Sequence, residues 1–273
     1  MSIARKIMMG AAGAAGGSTF VDEVFSTYLY AGTGSSRTIN NGIDLSGEGG
    51  LTWIKSRTSG YSHALYDTVR GNTKHLYSNQ SWFEQTFTTG ITSFNNNGFS
   101  LGTHTDLNNG SQNFASWTFR KAPGFFDVVT YTGNGSARTI SHSLGSVPGM
   151  IWIKKTSASD PWSVYHRSLD STSPENYRIF LDEGDTRLAA NTSIWNQTKP
   201  TATNFSLGTN DQLNGNGATY VAYIFAGGES TAATARSVEF DGSNDYLSIP
   251  DNDDFDLGTS FTIEAWIYPD PGT

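Results

Sequence analysis

The stretch Gly50-Leu-Thr-Trp-Ile-Lys55 decides the fold, because it returns 99 residues later as Gly149-Met-Ile-Trp-Ile-Lys154. The sequences that follow the two copies also match. Phe99-Ser-Leu-Gly-Thr103 follows the first copy and Phe205-Ser-Leu-Gly-Thr209 follows the second. A period of about a hundred residues is the length of a whole domain, not of a solenoid repeat. The sequence therefore predicts that one module has been duplicated.

Each copy also opens and closes in the same way. A tyrosine, two glycines and Arg-Thr-Ile occur in the same order in 30–39 and in 131–140. Because glycine permits a positive φ, each glycine pair is predicted to form a turn between two strands. Each copy then closes on an alternating run that is typical of a strand, Phe114–Phe119 in the first and Tyr220–Phe225 in the second. These glycines are not expected to bind phosphate, since neither turn opens a helix.

The composition favours short strands joined by turns. Charged residues make up 15% of the 273 residues, glycine occurs 30 times, and 13% of the residues are aromatic. We predict an all-β protein with two homologous antiparallel β-sandwich modules in tandem, followed by the beginning of a jelly-roll domain. The predicted boundaries are 1–19 for an N-terminal docking segment, 20–122 for module 1, 123–228 for module 2, 229–235 for a linker and 236–273 for the incomplete jelly roll.

Charge and cysteine content exclude some partners. The formal net charge is −8 and no basic stripe crosses the modules, which argues against nucleic acid. No run approaches the roughly 18 apolar residues of a membrane span, so we expect no membrane insertion. The chain has no cysteine, which fits assembly in a reducing cytoplasm or reliance on core size and subunit contacts.

The first nineteen residues combine a basic and apolar start with a run of glycine and alanine. A signal peptide and a frayed, flexible terminus are two interpretations. We favour a third, in which an apolar peptide on a flexible leash orders only on a partner. The residues expected to make that attachment are Ile3, Arg5, Lys6, Ile7, Met8 and Met9.

The sequence offers little that predicts catalysis. The five histidines form no closely spaced ligand set, and we expect them to be exposed or hydrogen-bonded. Glycoside hydrolysis needs two facing carboxylates, but Asp67, Glu84 and Asp106 have no counterparts at repeated positions. The acidic stretch Asp251–Asp256 is either a calcium loop or, as we favour, a solvated turn. We predict no catalytic residue, no metal site and no cofactor.

Aromatic residues in the predicted loops are the candidate ligand-binding set. Their rings either stack on sugars or a neighbouring subunit, or else plug the open ends of the sandwiches. The set consists of Trp82, Phe83, Trp162 and Trp195. Trp53, Trp117 and Trp152 lie on predicted strands and are expected in the core.

The last forty residues resemble the opening of a laminin-G-like or concanavalin-A-like domain. The residues that carry this resemblance are Val238-Glu-Phe-Asp-Gly-Ser-Asn-Asp-Tyr-Leu-Ser-Ile-Pro250 and Phe261-Thr-Ile-Glu-Ala-Trp-Ile267. The resemblance implies a two-sheet jelly roll that often binds glycans, sometimes with calcium. Its binding loops would lie beyond the last residue, so no binding residue is carried over.

The duplicated module is similar to a domain of marine bacteriophage proteins, including those of cyanophages. The motifs are Ser116-Trp-Thr-Phe-Arg-Lys-Ala-Pro123, Val129-Thr-Tyr-Thr-Gly-Asn-Gly135 and Gly145-Ser-Val-Pro-Gly-Met-Ile151. Met1–Gly13 also looks like the amino terminus of phage proteins that carry laminin-G-like domains.

Together these resemblances imply a virion protein on the particle surface, such as a tail fibre. It would attach to other virion proteins by its N-terminus and present β domains to a host glycan. A homo-oligomer is expected, with a trimer favoured. The alternatives are a capsid-decorating protein without a receptor role, a polysaccharide-degrading enzyme and a secreted lectin.

Overall fold

The strands are short and pair antiparallel, which confirms the predicted all-β class. The structure is a computed structural model that describes residues 20–184, 188–189 and 192–228. The proposed attachment residues, the linker, the laminin-G-like start and its acidic stretch lie outside these described residues.

Module 1 contains two sheets and two short helices. One sheet has six strands in the order β1-β9-β3-β4-β5-β6, and the other has three in the order β2-β8-β7. The strands are β1 (Phe25–Ala31), β2 (Arg37–Asn40), β3 (Gly50–Ser56), β4 (Ala64–Asp67), β5 (Lys74–Tyr77), β6 (Gln85–Thr86), β7 (Ile91–Asn95), β8 (Gly98–Leu101) and β9 (Asn113–Arg120). The helices are α1 (Val21–Val24) and α2 (Thr105–Asn108).

The larger sheet of module 2 has the corresponding strand order, but its smaller sheet has two strands where that of module 1 has three. In module 2 the larger sheet runs β10-β17-β12-β13-β14-β15, and the smaller sheet pairs β11 with β16. The strands are β10 (Phe126–Thr132), β11 (Arg138–Ser141), β12 (Pro148–Lys155), β13 (Ser163–His166), β14 (Tyr177–Phe180), β15 (Leu188–Ala189), β16 (Asn204–Leu207) and β17 (Thr219–Ala226). The helices are α3 (Thr192–Trp195), α4 (Asp211–Asn214) and a single 3₁₀ turn at Pro174–Asn176.

The registers match as well as the order. Trp53 lies opposite Trp117 in the β3–β9 pair, and Trp152 lies opposite Tyr223 in the β12–β17 pair. The repeated tryptophan therefore has the same place in both large sheets. Its strand is flanked by neighbouring strands on both sides in each sheet.

A buried asparagine holds the first glycine turn. The Asn108 side chain accepts a hydrogen bond from the Thr33 backbone N–H at 2.9 Å and donates to the carbonyls of Ser35 and Gly102 at 2.7 and 2.8 Å. Asn214 makes the corresponding three bonds in module 2. A buried polar group is costly without partners, so these bonds stabilise both the asparagine and the turn. The glycine turn that recurs in the two modules therefore has a structural role.

Each module has its own apolar core between its large and small sheets. Examples in module 1 are Ile39, Ile54, Tyr66, Phe99 and Phe114. Examples in module 2 are Ile140, Ile153, Tyr165, Phe205 and Ile224.

A third apolar cluster lies between the modules, and we call it the junction core. It is formed by the face of each large sheet that points away from the small sheet of its own module. Its buried members are Leu51, Leu65, Leu76, Phe126, Val128, Trp152, Trp162, Val164, Val221 and Tyr223. Both faces of each large sheet are therefore covered over much of their area, which explains the nearly continuous apolar character of β12 and β17.

Residues in corresponding positions meet across the junction core. The rings of Trp53 and Trp152 are edge to face with centroids 5.7 Å apart, and those of Phe119 and Phe225 are 5.6 Å apart. Trp152 is thus buried in a core, as expected, but in the junction core and not between the two sheets of its own module, and Trp53 packs against the same cluster. The sequence did not indicate this because β12 carries apolar residues on both of its faces.

We predict that Trp152→Ala lowers the free energy of unfolding by about 3–5 kcal/mol, the usual cost of truncating a large buried aromatic. The control is Trp82→Ala, which truncates a tryptophan that is 48% exposed and should cost much less. Denaturant unfolding of both variants makes the measurement. Equal stabilities would contradict the burial of Trp152 at the junction.

Candidate functional site

The segment Ser78–Glu84 connects β5 to β6 and crosses to module 2; we call it the junction loop. The Ser81 carbonyl accepts a hydrogen bond from the Asp160 backbone N–H at 2.9 Å. The Glu84 backbone N–H donates to the Thr156 carbonyl at 3.0 Å. Module 2 therefore holds this loop of module 1 by its backbone at two places.

A buried lysine strengthens this attachment. The Lys154 ammonium donates to the Ser81 carbonyl at 2.9 Å and also to the carbonyl of Asp160. The residue is fully buried, and burial lowers the pKa of its ammonium to about 8. Lys154 is the last residue of the repeated motif Gly149–Lys154. A residue of that motif therefore bonds module 2 to the junction loop.

A buried ionic cluster fixes the end of the loop. Arg70 Nε lies 2.5 Å from Asp67 Oδ2, and Arg70 Nη1 lies 3.2 Å from Glu84 Oε2. Tyr223 of module 2 accepts from Arg70 Nη2 at 3.0 Å and donates to Asp67 at 2.8 Å. Burial opposes the charge of Arg70, but Asp67, Tyr223 and Glu84 together outweigh it and raise the pKa of the guanidinium. The charges are thus paired and bonded, as buried charges must be.

The junction loop presents two consecutive aromatic residues to solvent. Trp82 is 48% exposed and Phe83 is 49% exposed. Trp82 also lies edge to face with Tyr77, with ring centroids 5.9 Å apart. The structure thus brings this predicted pair together on a loop whose backbone is fixed from both modules.

The other two predicted aromatics lie inside the protein. Trp162 is fully buried in the junction core, and its indole N–H donates to the Tyr77 carbonyl at 2.9 Å. Trp195 is 2% exposed, packs against Tyr165 and donates to the Tyr177 carbonyl at 3.0 Å. Both have packing and hydrogen-bonding roles, and neither is exposed.

Among the histidines, which we expected to be exposed or hydrogen-bonded, His75 is the most deeply buried. His75 is 1% exposed, and its ring stacks on Phe87 and Tyr66 at centroid distances of 4.3 and 5.6 Å. Burial, with smaller contributions from His104 and Arg70, lowers the pKa of His75 to about 3. The imidazole is therefore neutral near pH 7 and acts as part of the core.

Within residues 20–184, 188–189 and 192–228, no group of three His, Cys, Asp or Glu side chains is placed to hold a metal ion. In the same residues no helix has the length and apolarity needed to cross a membrane.

Sequence reasoning missed the residues that position the loop, namely Lys154, Arg70 and Tyr223. A weak signal was present, because Asp67 and Arg70 follow an apolar strand at a spacing of three residues. Their partner Tyr223 lies 153 residues beyond Arg70, and no local pattern connects them.

The comparison with known families gives one match. The profile described as "Domain of unknown function (DUF7483)" matches residues 21–234. This is more than half of the chain, and the chain belongs to that family. The match spans both modules, so the family unit is the pair. No curated protein and no solved structure matches the chain.

We predict that Lys154→Met changes how stability depends on pH. The ammonium has a pKa of about 8 in the folded protein, against 10.5 ordinarily. Between these values the unfolded chain binds more protons, so this group makes the free energy of unfolding rise with pH. The variant should lose that rise, as measured by denaturant unfolding from about pH 7 to 10.

The matched control is Lys55→Met, since Lys55 has the corresponding place in β3 but bonds within module 1, to the carbonyls of Ser56 and Ser59. Parallel stability curves for wild type and Lys154→Met across this range would contradict the assignment.

Proposed function

We propose that this chain is a structural and adhesive protein of a phage particle, with the two modules as its rigid body. The observation that carries the adhesive role is the exposed Trp82–Phe83 pair on the junction loop. Loops fixed by a rigid scaffold are favoured places for binding, and prior fixation lowers the entropy lost when a ligand binds.

A saccharide of the host surface is the proposed ligand. The apolar face of a sugar ring packs on exposed aromatic rings, and here two consecutive aromatic residues are exposed on a backbone that is already ordered. The role is binding rather than catalysis.

Placement on a phage particle is supported by the resemblances of 116–123, 129–135 and 145–151, and of the amino terminus, to phage proteins. In this proposal residues 1–19 attach the chain to other virion proteins, and a homo-oligomer, with a trimer favoured, presents several copies. Multiple copies convert weak single contacts into firm attachment because linkage raises the effective concentration.

We predict that the double variant Trp82→Ala, Phe83→Ala loses saccharide binding by about tenfold or more, as expected when the aromatic anchors of a binding site are removed. A glycan array with wild type and variant makes the measurement, and the thermal melt checks the fold.

The control is Tyr28→Ala, which removes another exposed aromatic, 36% accessible, from the edge strand β1. It should bind as wild type does. Undiminished binding by the Trp82–Phe83 variant, or no binding by wild type to any glycan, would overturn the proposal.

A further inference from the structure

A groove of about 380 Å³ opens where the large sheet of module 2 passes the end of the junction loop. Module 1 contributes Arg70 and Glu84 to its lining. Module 2 contributes four threonines, together with Tyr131 and Tyr220, whose rings stack on each other in the core of module 2. The threonines are Thr130, Thr132, Thr156 and Thr219. The volume falls within the range of about 300–1,000 Å³ that is usual for small-ligand sites.

The register of the strands explains why the threonines share one face. Thr132 lies opposite Thr219 in the β10–β17 pair, and Thr130 lies opposite Val221 of the junction core. The Thr156 N–H donates to the Thr219 carbonyl at 2.8 Å, so Thr156 extends the ladder of β12 and β17. The face that is apolar inside the junction therefore continues outside it as a row of hydroxyl groups.

The corresponding face of module 1 has different chemistry. By register, Leu29 and Ala31 take the places of Thr130 and Thr132, and Asn113 takes that of Thr219. The Arg57 N–H donates to the Asn113 carbonyl at 2.7 Å, as Thr156 does to Thr219. The fold alone therefore does not require a threonine at these positions.

The charges of the lining select against anions. The guanidinium of Arg70 is already paired with Asp67 and Glu84, and Lys74 lies 3.6 Å from Glu84. An anionic ligand would place its charge beside the Glu84 carboxylate, which would repel it. The lining offers no unpaired cation that could offset this repulsion. Threonine hydroxyls each donate once and accept twice, which suits ligands that carry many hydroxyl groups.

We propose that this groove binds a neutral saccharide, with hydrogen bonds to Thr130 and Thr132 and to the Glu84 carboxylate. The proposal rests on the proposed adhesive function and extends it. Trp82 and Phe83 directly precede Glu84, so the two proposed binding places follow one another along the junction loop.

The test uses the full chain and two sets of probes: neutral oligosaccharides of two to four hexoses, and sulfated or carboxylated oligosaccharides of the same length. The variant is Thr130→Val with Thr132→Val, which removes two hydroxyls from exposed strand positions while keeping the shape and strand preference of the side chains. The control is Thr27→Val, at an exposed position of β1.

A neutral oligosaccharide should bind wild type and the control equally, and should bind the double variant about tenfold more weakly, since two hydrogen bonds are lost. Titration calorimetry gives the affinities, and threonine methyl NMR shifts should change at the groove. The acidic probes should bind wild type more weakly than the neutral ones.

If the double variant binds a neutral probe as tightly as wild type does, while Trp82→Ala abolishes binding, the groove proposal fails and the adhesive function stands. Tighter binding of acidic probes to wild type would also overturn the groove proposal. If wild type binds none of the probes, both proposals fail.

Discussion

The structure depends on the packing of two large sheets through the faces that point away from their own small sheets. One face of each large sheet covers the core of its own module. The other face presents Leu51, Trp53 and Phe119 in module 1, and Trp152 and Phe225 in module 2. An exposed apolar sheet face of this kind would be costly in water, so each module supplies the cover that the other needs. Residues in corresponding positions of the two modules meet there, Trp53 with Trp152 and Phe119 with Phe225.

The junction also explains where the functional candidates lie. Lys154 and the Arg70 cluster lie at the edge of the junction core, and both hold the junction loop. The aromatic pair and the threonine groove are therefore consequences of pairing the modules, because each needs residues or support from both. A single module would present neither in this form.

The sequence predicted the strands that recur, because Gly50–Lys55 and Gly149–Lys154 combine strand preference with flanking turns. It did not predict which sheet faces form the junction, since apolar residues on both faces of a strand do not say which partner covers each face. Nor did it separate Trp82 from Trp162: both lie in loops, but one is exposed and the other is fully buried. Burial there depends on contacts between residues that are far apart in the chain, such as Trp162 and Tyr77.

The central claim is that the two modules fold as one unit through the junction core. The direct measurement compares denaturant unfolding of residues 20–228 with that of 20–122 and 123–228 made separately. The account predicts one cooperative transition for the pair, and isolated modules that are much less stable or fail to fold, because each exposes its half of the junction core. Two separable transitions with midpoints unchanged in the isolated modules would contradict it.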